Sequence, residues 1–77
     1  MEEKVNKIFA ECLGVDYSYI TPELEYASIP EWDSIAHMTI IAELEFEFDI
    51  MIDTDDVIDM STVSIAYQTV RKYSENS

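Results

Sequence analysis

Apolar residues recur at every third or fourth position in the first and middle parts of the chain, which is the spacing of an amphipathic α-helix. This pattern predicts a first helix over residues 2–13, and Gly14, the only glycine, is suited to its C-terminal cap. It also predicts a second helix over residues 34–48 with Asp33 as its N-cap. A long loop, residues 14–32, joins the two.

This loop contains both prolines of the chain, Pro22 and Pro30. A loop of this length in a compact protein is usually functional or held by its own side chains. Thr21-Pro22-Glu23 predicts a single capped turn within it. The apolar residues that could hold the loop against a core are Val15, Tyr19, Ile20, Leu24 and Ile29.

The second half of the chain predicts two further helices after a short connection at residues 50–53. A short helix is expected to run to about Asp59 or Met60, and a last helix to about Tyr73, before a frayed tail over residues 74–77. The candidate N-caps are Asp53 or Thr54 for the short helix and Ser61 or Thr62 for the last one.

Two of the predicted helices have a recognisable core face. The second helix also has another apolar face on roughly the opposite side, which either meets the long loop or is exposed for a partner. Its core face comprises Ile40, Ile41, Leu44 and Phe48, and its other face comprises Ile35, Met38, Ala42 and Phe46. The core face of the last helix comprises Val63, Ala66, Tyr67, Val70 and Tyr73.

Together these elements predict an all-α fold, because no stretch shows the sustained alternation of a β-strand. We expect a small four-helix bundle of three main helices and one short helix, with a long first loop. A length of 77 residues corresponds to one domain, residues 1–77, and a hydrophobic content of 48% is ample for a folded core.

The charge is distributed very unevenly along the chain. The net charge is −13, and the four basic residues, Lys4, Lys7, Arg71 and Lys72, all lie near the ends. Between residues 8 and 70 there are fourteen Asp and Glu but no Lys or Arg. Such a surface repels nucleic acid and anionic membranes and attracts basic protein patches. We therefore expect protein partners, no nucleic-acid binding and no membrane insertion.

The cysteine count and the lack of targeting segments exclude some features. The single cysteine, Cys12, excludes an internal disulfide, and its place in an apolar helical pattern predicts a small buried side chain rather than a nucleophile. The sequence shows no signal peptide, transmembrane run or lipidation motif, so a cytoplasmic location is expected by default.

Asp33-Ser34-Ile35 is the segment most suggestive of chemistry. It ends the polar loop and begins the second helix, which would leave the Ser34 hydroxyl exposed at a helix N-terminus. Free backbone N–H groups and the helix dipole favour an anion there, so a phosphate ester on this serine would be tolerated.

In this setting Asp33-Ser34-Ile35 resembles the modification site of the acyl and peptidyl carrier proteins. The resemblance covers nearly the whole chain, with Ile20-Thr21-Pro22-Glu23 similar to the first loop of that family and residues 40–48 similar to its second helix. The segment from Ile52 to Val63 is similar to the family's third helix and the start of its fourth. Asp-Ser-Ile alone occurs by chance in many proteins. Its place after a long loop, at the start of a helix and in an acidic chain of this length, is a more specific signal of the family.

The resemblance implies a non-catalytic carrier, not an enzyme. It implies that Ser34 bears a covalent 4'-phosphopantetheine arm, whose thiol holds acyl or aminoacyl groups as thioesters. The implied partners are a phosphopantetheinyl transferase and loading and acyl-using enzymes with basic docking patches, and the carrier is expected to be a monomer. These partners would contact Asp33, Ile35, Met38 and Ala42. The resemblance also suggests that Asp33 approaches the transferase's Mg²⁺, although capping is sufficient to explain an aspartate there.

Three positions depart from the pattern of fatty-acid carriers. Ile35 replaces the leucine after the serine, Ala36 replaces an often acidic residue, and Phe46 stands where a glutamate is usual. The Glu31-Trp32 segment is more similar to carriers dedicated to single pathways, such as D-alanyl or surface-polysaccharide carriers. The identity of the cargo stays open.

Other interpretations of the polar residues have less support. His37 invites a Ser34–His37 hydrolase, but its helical phase places it toward the core and the short chain suggests no orienting acid or oxyanion hole. Trp32 is expected to be a packing anchor. An acidic helical interaction module without a prosthetic group remains the alternative function.

A calcium loop is also suggested by the aspartates before the last helix. In the spacing of an EF-hand, however, the required glycine would be Ile58 and the closing glutamate would be Ser64. We therefore expect no dedicated metal site. The aspartates concerned are Asp53, Asp55, Asp56 and Asp59.

The excess of negative charge predicts a salt-dependent stability. Self-repulsion among the carboxylates opposes folding, and dissolved ions screen it. Added NaCl or millimolar Mg²⁺ should therefore raise the melting temperature, measured by circular dichroism across a salt titration. A melting temperature that stays flat or falls would contradict this account.

Overall fold

The computed structural model describes residues 1–75, and within them the chain is all-α, as predicted. Four α-helices follow the predicted order, and a short 3₁₀ helix lies in the long loop. The helices are α1 (Glu2–Leu13), α2 (Ser34–Phe48), α3 (Thr54–Asp59) and α4 (Val63–Glu75), and the 3₁₀ helix is Tyr17–Tyr19. Helix α1 packs against α2 and α4, and α2 also packs against α4.

The ends of the helices follow the residues that favour them. Gly14 ends α1 in the left-handed conformation with φ of 69°, which glycine adopts without steric cost. The Asp33 carboxylate caps α2 by accepting a hydrogen bond from the Ala36 N–H at 2.8 Å. Of the two candidates for the N-cap of α4, Thr62 takes the role, because its hydroxyl accepts the Ile65 N–H at 3.1 Å. Helix α3 has Asp53 at its N-cap position.

The predicted end of the last helix is wrong by two residues. Helix α4 continues through Ser74 to Glu75 instead of fraying after Tyr73. The other two residues of the predicted frayed tail, 76 and 77, lie outside the described residues.

The long first loop is held mainly by backbone hydrogen bonds to the connection between α3 and α4. The Tyr26 N–H donates to the Ser61 carbonyl at 2.9 Å, and the Val63 N–H donates to the Leu24 carbonyl at 3.1 Å. These bonds flank an isolated antiparallel bridge between Glu25 and Thr62. The sequence pattern did not predict this pairing, because it joins segments almost forty positions apart.

The side chains expected to hold the loop do so with one exception. Ile20 is buried, and Val15, Leu24 and Ile29 are partly buried against the core. Tyr19 is 67% exposed, so the expectation for it is wrong: it lies in the 3₁₀ helix, which Asp16 caps. The predicted turn forms just after it.

The core contains most of the residues predicted for it. Trp32 is fully buried and stacks edge-on against Phe9 of α1, with ring centroids 5.1 Å apart, which confirms it as a packing anchor. Phe48 and Tyr73 are only partly buried at the edge of the core. The fully buried side chains of greatest volume are Trp32, Phe9, Ile40, Leu44, Met60, Val5, Val63 and Val70.

Helix α3 has no buried residue of its own, so polar contacts do much to hold it in place. At its N-terminal end, the Tyr73 hydroxyl donates a hydrogen bond to the Asp56 carboxylate and accepts one from the Asp53 N–H at 3.1 Å. Lys72 Nζ lies 3.0 Å from the same Asp56 carboxylate. The bond from Tyr73, and then that from Lys72, hold the pKa of Asp56 below its usual value.

Replacing Tyr73 with Phe should lower the stability of the protein in a pH-dependent way. Because the pKa of Asp56 is lower in the folded state, its contribution is complete above the unfolded pKa of about 3.9 and is lost as the pH falls through the folded pKa. Tyr73→Phe should therefore lower the urea midpoint at pH 7, and the deficit should shrink below about pH 4.

The exposed Tyr19 supplies a matched control for this measurement, since Tyr19→Phe removes a hydroxyl from the 3₁₀ helix and should leave the urea midpoint unchanged. A deficit for Tyr73→Phe that is equal at pH 7 and pH 3 would show that the Asp56 carboxylate is not its source.

Candidate functional site

Ser34 is the first residue of α2 and is exposed, as the sequence predicted. The cap just before it fixes the backbone there: the Asp33 carboxylate binds the Ala36 N–H, and the Asp33 carbonyl accepts the His37 N–H at 2.9 Å. Among the described residues, the Ser34 hydroxyl has no hydrogen-bond partner. It is therefore held at a capped helix start and is free to carry a substituent.

The electrostatics at this position suit a phosphate ester. The first turn of a helix presents backbone N–H groups without intrahelical partners, and the aligned peptide dipoles add positive potential there. Asp33 satisfies one of these groups. The others remain available to an anion on the adjacent Ser34 oxygen.

An apolar groove with a volume of about 330 Å³ lies next to Ser34, between α2 and α3. Its rim includes exposed residues, among them Met38 of α2 and Ile58 of α3, and its floor includes the buried residues His37 and Met60. The remaining lining residues are Tyr26, Val57 and Ser61. A flexible group attached at Ser34 could therefore lie along an apolar surface.

His37 joins three parts of the structure through both nitrogens of its ring. The Trp32 indole N–H donates to His37 Nδ1 at 3.0 Å, so Nδ1 carries no proton, because an indole N–H can only donate. In the neutral ring the proton is then on Nε2, which donates to the Val57 carbonyl of α3 at 2.8 Å. We call these two hydrogen bonds the His37 bridge.

The Trp32–His37 bond of the bridge is buried and the His37–Val57 bond is partly buried, so the loss of the bridge would be costly. A buried donor or acceptor left without a partner costs about 1–3 kcal/mol. The aromatic rings around it add packing: Tyr26 meets the His37 ring edge-on with centroids 5.3 Å apart, and the Trp32 ring lies beside it with centroids 6.0 Å apart and planes 22° from parallel. Since both ring nitrogens are occupied by Trp32 and Val57, His37 does not activate Ser34 as the base of a hydrolase would.

The second apolar face of α2 is exposed rather than covered by the long loop. Ile35 is 77% exposed and Phe46 is 86% exposed, and Met38 and Ala42 lie between them on the same face. Ser34 borders both this face and the groove. An isolated apolar residue on a surface is ordinary, but an apolar stripe along a whole helix indicates an interaction site.

Sequence reasoning missed two other exposed apolar residues, Met51 and Ile58. Met51 is 84% exposed, because it lies between the buried residues Ile50 and Ile52 in an extended connection. The sequence did carry a signal for this exposure: in an extended segment neighbouring side chains point to opposite sides, so burial of Ile50 and Ile52 leaves Met51 exposed. Ile58, 73% exposed, points away from the core on α3.

The other candidate residues do not form a reactive centre. Cys12 is only partly buried rather than buried, and burial, followed by the nearby Glu43 and Glu11, raises the pKa of its thiol. The thiol is therefore protonated and weakly nucleophilic near neutral pH. Across residues 1–75, no three His, Cys, Asp or Glu side chains are placed to hold a metal ion. None of the helices in this range is long and apolar enough to cross a membrane.

Comparison with curated proteins decides the family. The acyl carrier protein of Desulforapulum autotrophicum is 43% identical to this chain over 75 residues, covering 96% of this chain and 97% of the relative. The acyl carrier proteins of Karelsulcia muelleri and Chlorobium phaeobacteroides are 36% and 35% identical, covering 95% and 94% of this chain and 88% and 92% of the relatives. The chain belongs to the acyl carrier protein family. No family model matches it.

Two solved structures share the fold of this chain. The solution NMR structure of a holo acyl carrier protein from Geobacter metallireducens superposes with a TM-score of 0.85, at 24% identity, over 97% of this chain and 86% of that chain. A chain in the structure of the ishigamide ketosynthase/chain length factor gives a TM-score of 0.71 at 26% identity, over 96% of this chain and 93% of that chain.

Membership of the family confirms the resemblance that the Asp33-Ser34-Ile35 context indicated. The protein is accordingly a non-catalytic carrier, and not the small hydrolase that Ser34 and His37 could suggest. Membership of the family implies a phosphopantetheine arm.

Removing the cap before Ser34 should destabilise the carrier. Asp33→Ala deletes the acceptor for the Ala36 N–H and should lower the free energy of unfolding by about 1 kcal/mol, measured by urea denaturation. Glu31→Ala, which removes an exposed carboxylate two positions earlier in the chain, is the matched control for the loss of charge. If Asp33→Ala leaves stability unchanged yet abolishes modification of Ser34, capping is not the main role of Asp33.

Proposed function

We propose that Ser34 carries the 4'-phosphopantetheine arm and that residues 1–77 act as a single carrier domain for thioester-bound acyl or aminoacyl groups. The observation that carries this proposal is the exposed, unbonded Ser34 hydroxyl at the capped N-terminus of α2. When bound, the arm supplies the thiol that forms the thioester.

The residues around Ser34 fit such a group. The first turn of α2 presents backbone N–H groups to a phosphodiester, and the adjacent groove offers an apolar wall to the arm. Asp33 contributes by fixing the backbone at the attachment point. The protein thus positions the arm and leaves the chemistry of the cargo to partner enzymes.

The exposed stripe of α2 is the docking surface in this proposal. Ile35, Met38 and Ala42 extend from the attachment point along one face, and Asp33 lies at its start. Partners would be the phosphopantetheinyl transferase and the loading and acyl-using enzymes. A partner surface rich in Lys and Arg complements this face, since residues 8–70 contain no Lys or Arg to repel it.

Phe46 extends the docking surface well beyond the attachment point. It lies twelve residues after Ser34, or about 18 Å along the helix axis. A partner that covers Phe46 needs an apolar pocket there, whereas a partner built for a glutamate would present a basic residue to it. This supports a carrier dedicated to one pathway over a general fatty-acid carrier.

Further parts of the proposal concern the setting in which the carrier works. We place it in the cytoplasm as a monomer, where coenzyme A and the enzymes that use it are available. Its net charge of −13 supports protein partners over nucleic acid or anionic membranes.

Attachment at Ser34 can be tested by intact mass spectrometry. The protein is incubated with coenzyme A, Mg²⁺ and a broad-specificity phosphopantetheinyl transferase. The wild type should gain the mass of one phosphopantetheine, and Ser34→Ala should gain none. The hydroxyl of Ser28 donates to the Glu25 carbonyl, so Ser28→Ala serves as a control that should still be modified.

A known carrier in parallel reactions confirms that the transferase is active. If that carrier is modified and the folded wild-type protein is not, the acidic interaction module becomes the better account. If Ser34→Ala is still modified, the attachment residue is wrong while the carrier role stands.

A further inference from the structure

The floor of the groove beside Ser34 separates it from the hydrophobic core. His37 and Met60 are the lining residues nearest the interior, with 9% and 1% of their surface exposed. Trp32 does not line the groove: it is hydrogen-bonded to His37 and packs edge-on against Phe9 of α1. The His37 ring thus stands between the groove and the centre of the molecule.

An acyl chain could pass from the groove into the core only by displacing this ring. Displacement would break the bond from Trp32 to Nδ1 and the bond from Nε2 to Val57, and an alkyl chain cannot replace either hydrogen bond. The side chains beyond it give no room, because Trp32, Ile40 and Leu44 are fully buried. Close-packed interiors resist the insertion of even a few methylene groups.

The groove itself is small. Its volume of about 330 Å³ is near the lower end of the range of ligand pockets, roughly 300–1,000 Å³. An arm attached at Ser34 would share this space with the first atoms of its cargo. Longer cargo would have to extend past Met38 and Ile58 at the rim.

We propose that the His37 bridge closes the groove toward the core, so that this carrier holds short acyl or aminoacyl groups at its surface and does not enclose long alkyl chains. His37 is then a specificity-determining residue that acts by position and never touches the reacting thioester. The inference rests on the proposed attachment of the arm at Ser34.

The test uses carrier loaded with acyl groups of increasing length. A broad-specificity transferase transfers acyl-phosphopantetheine from acetyl-, hexanoyl-, octanoyl- and decanoyl-coenzyme A. The Ser34 oxygen forms the new bond to phosphorus, the pyrophosphate bond of coenzyme A breaks, adenosine 3',5'-bisphosphate leaves, and the hydroxyl proton passes to solvent. Intact mass verifies each product.

The first readout is the rate at which hydroxylamine cleaves each thioester, relative to the same acyl group on free pantetheine. An enclosed thioester reacts only in the fraction of molecules that is open. For the wild type, the relative rate should change by less than about twofold from acetyl to decanoyl. The second readout is the set of backbone amide shifts of Ile40, Leu44 and Val63, which should not move with chain length.

Two variants of His37 separate the bridge from the bulk of the ring. In His37→Gln, the side-chain oxygen can accept from Trp32 and the amide can donate to Val57, so this carrier should behave as the wild type. In His37→Ala, the barrier is removed, and the octanoyl and decanoyl thioesters should become protected by about fivefold or more. The core amides of this variant should shift with chain length.

Protection of the wild-type decanoyl thioester by more than about fivefold, with shifts in the core amides, would overturn the inference without any variant. If the folded His37→Ala variant and the wild type show the same rates of hydroxylamine cleavage for the octanoyl and decanoyl thioesters, His37 is not the barrier. If the transferase loads a control carrier but not this one, the proposed attachment at Ser34 fails instead, and mass spectrometry identifies that outcome before any thioester is assayed.

Discussion

The neutral imidazole of His37 connects the segments that define the neighbourhood of Ser34. It accepts a hydrogen bond from the indole at the end of the long loop and donates one to a carbonyl of α3, while its own backbone lies in the first turn of α2. Helix α3 has no fully buried residue, so this bond to Val57 and the contact of the neighbouring Asp56 with Tyr73 add to the partial burial of the Val57 side chain in holding the helix. The groove has its shape because these contacts hold α3 beside α2.

The same region shows how a small chain separates structural and functional roles. Buried polar groups can be retained only if every donor and acceptor has a partner, and the bridge meets that condition. Within residues 1–75, no buried side-chain nitrogen or oxygen lacks a hydrogen bond. Ser34, by contrast, is exposed and unbonded, two residues from the fully buried Trp32. The attachment point can therefore change chemically without disturbing the packing that positions it.

Local rules predicted most of the fold, but they did not predict the contacts between segments that are distant in the sequence. Asp33 and Gly14 act on atoms within four residues of themselves, so their roles as caps could be derived from the sequence alone. The pairing of Glu25 with Thr62 depends on two loops meeting in space, which periodicity does not encode. Trp32 and His37 were each expected to pack, but their shared hydrogen bond and the third partner, Val57, required the tertiary structure. The two apolar faces of α2 were evident from the pattern, whereas their exposure depends on which neighbours the loop reaches.

The exposed stripe on α2 has a consequence for how copies of this protein behave toward one another. Side chains such as Ile35 and Phe46 would favour self-association in a weakly charged protein. At neutral pH each molecule carries a net charge of −13, and this repulsion keeps neighbouring copies apart at ordinary ionic strength. Acidity near the isoelectric point of about 4.1 removes that protection while leaving the stripe unchanged. The colloidal stability of the carrier and its attraction for basic partners thus come from the same carboxylates.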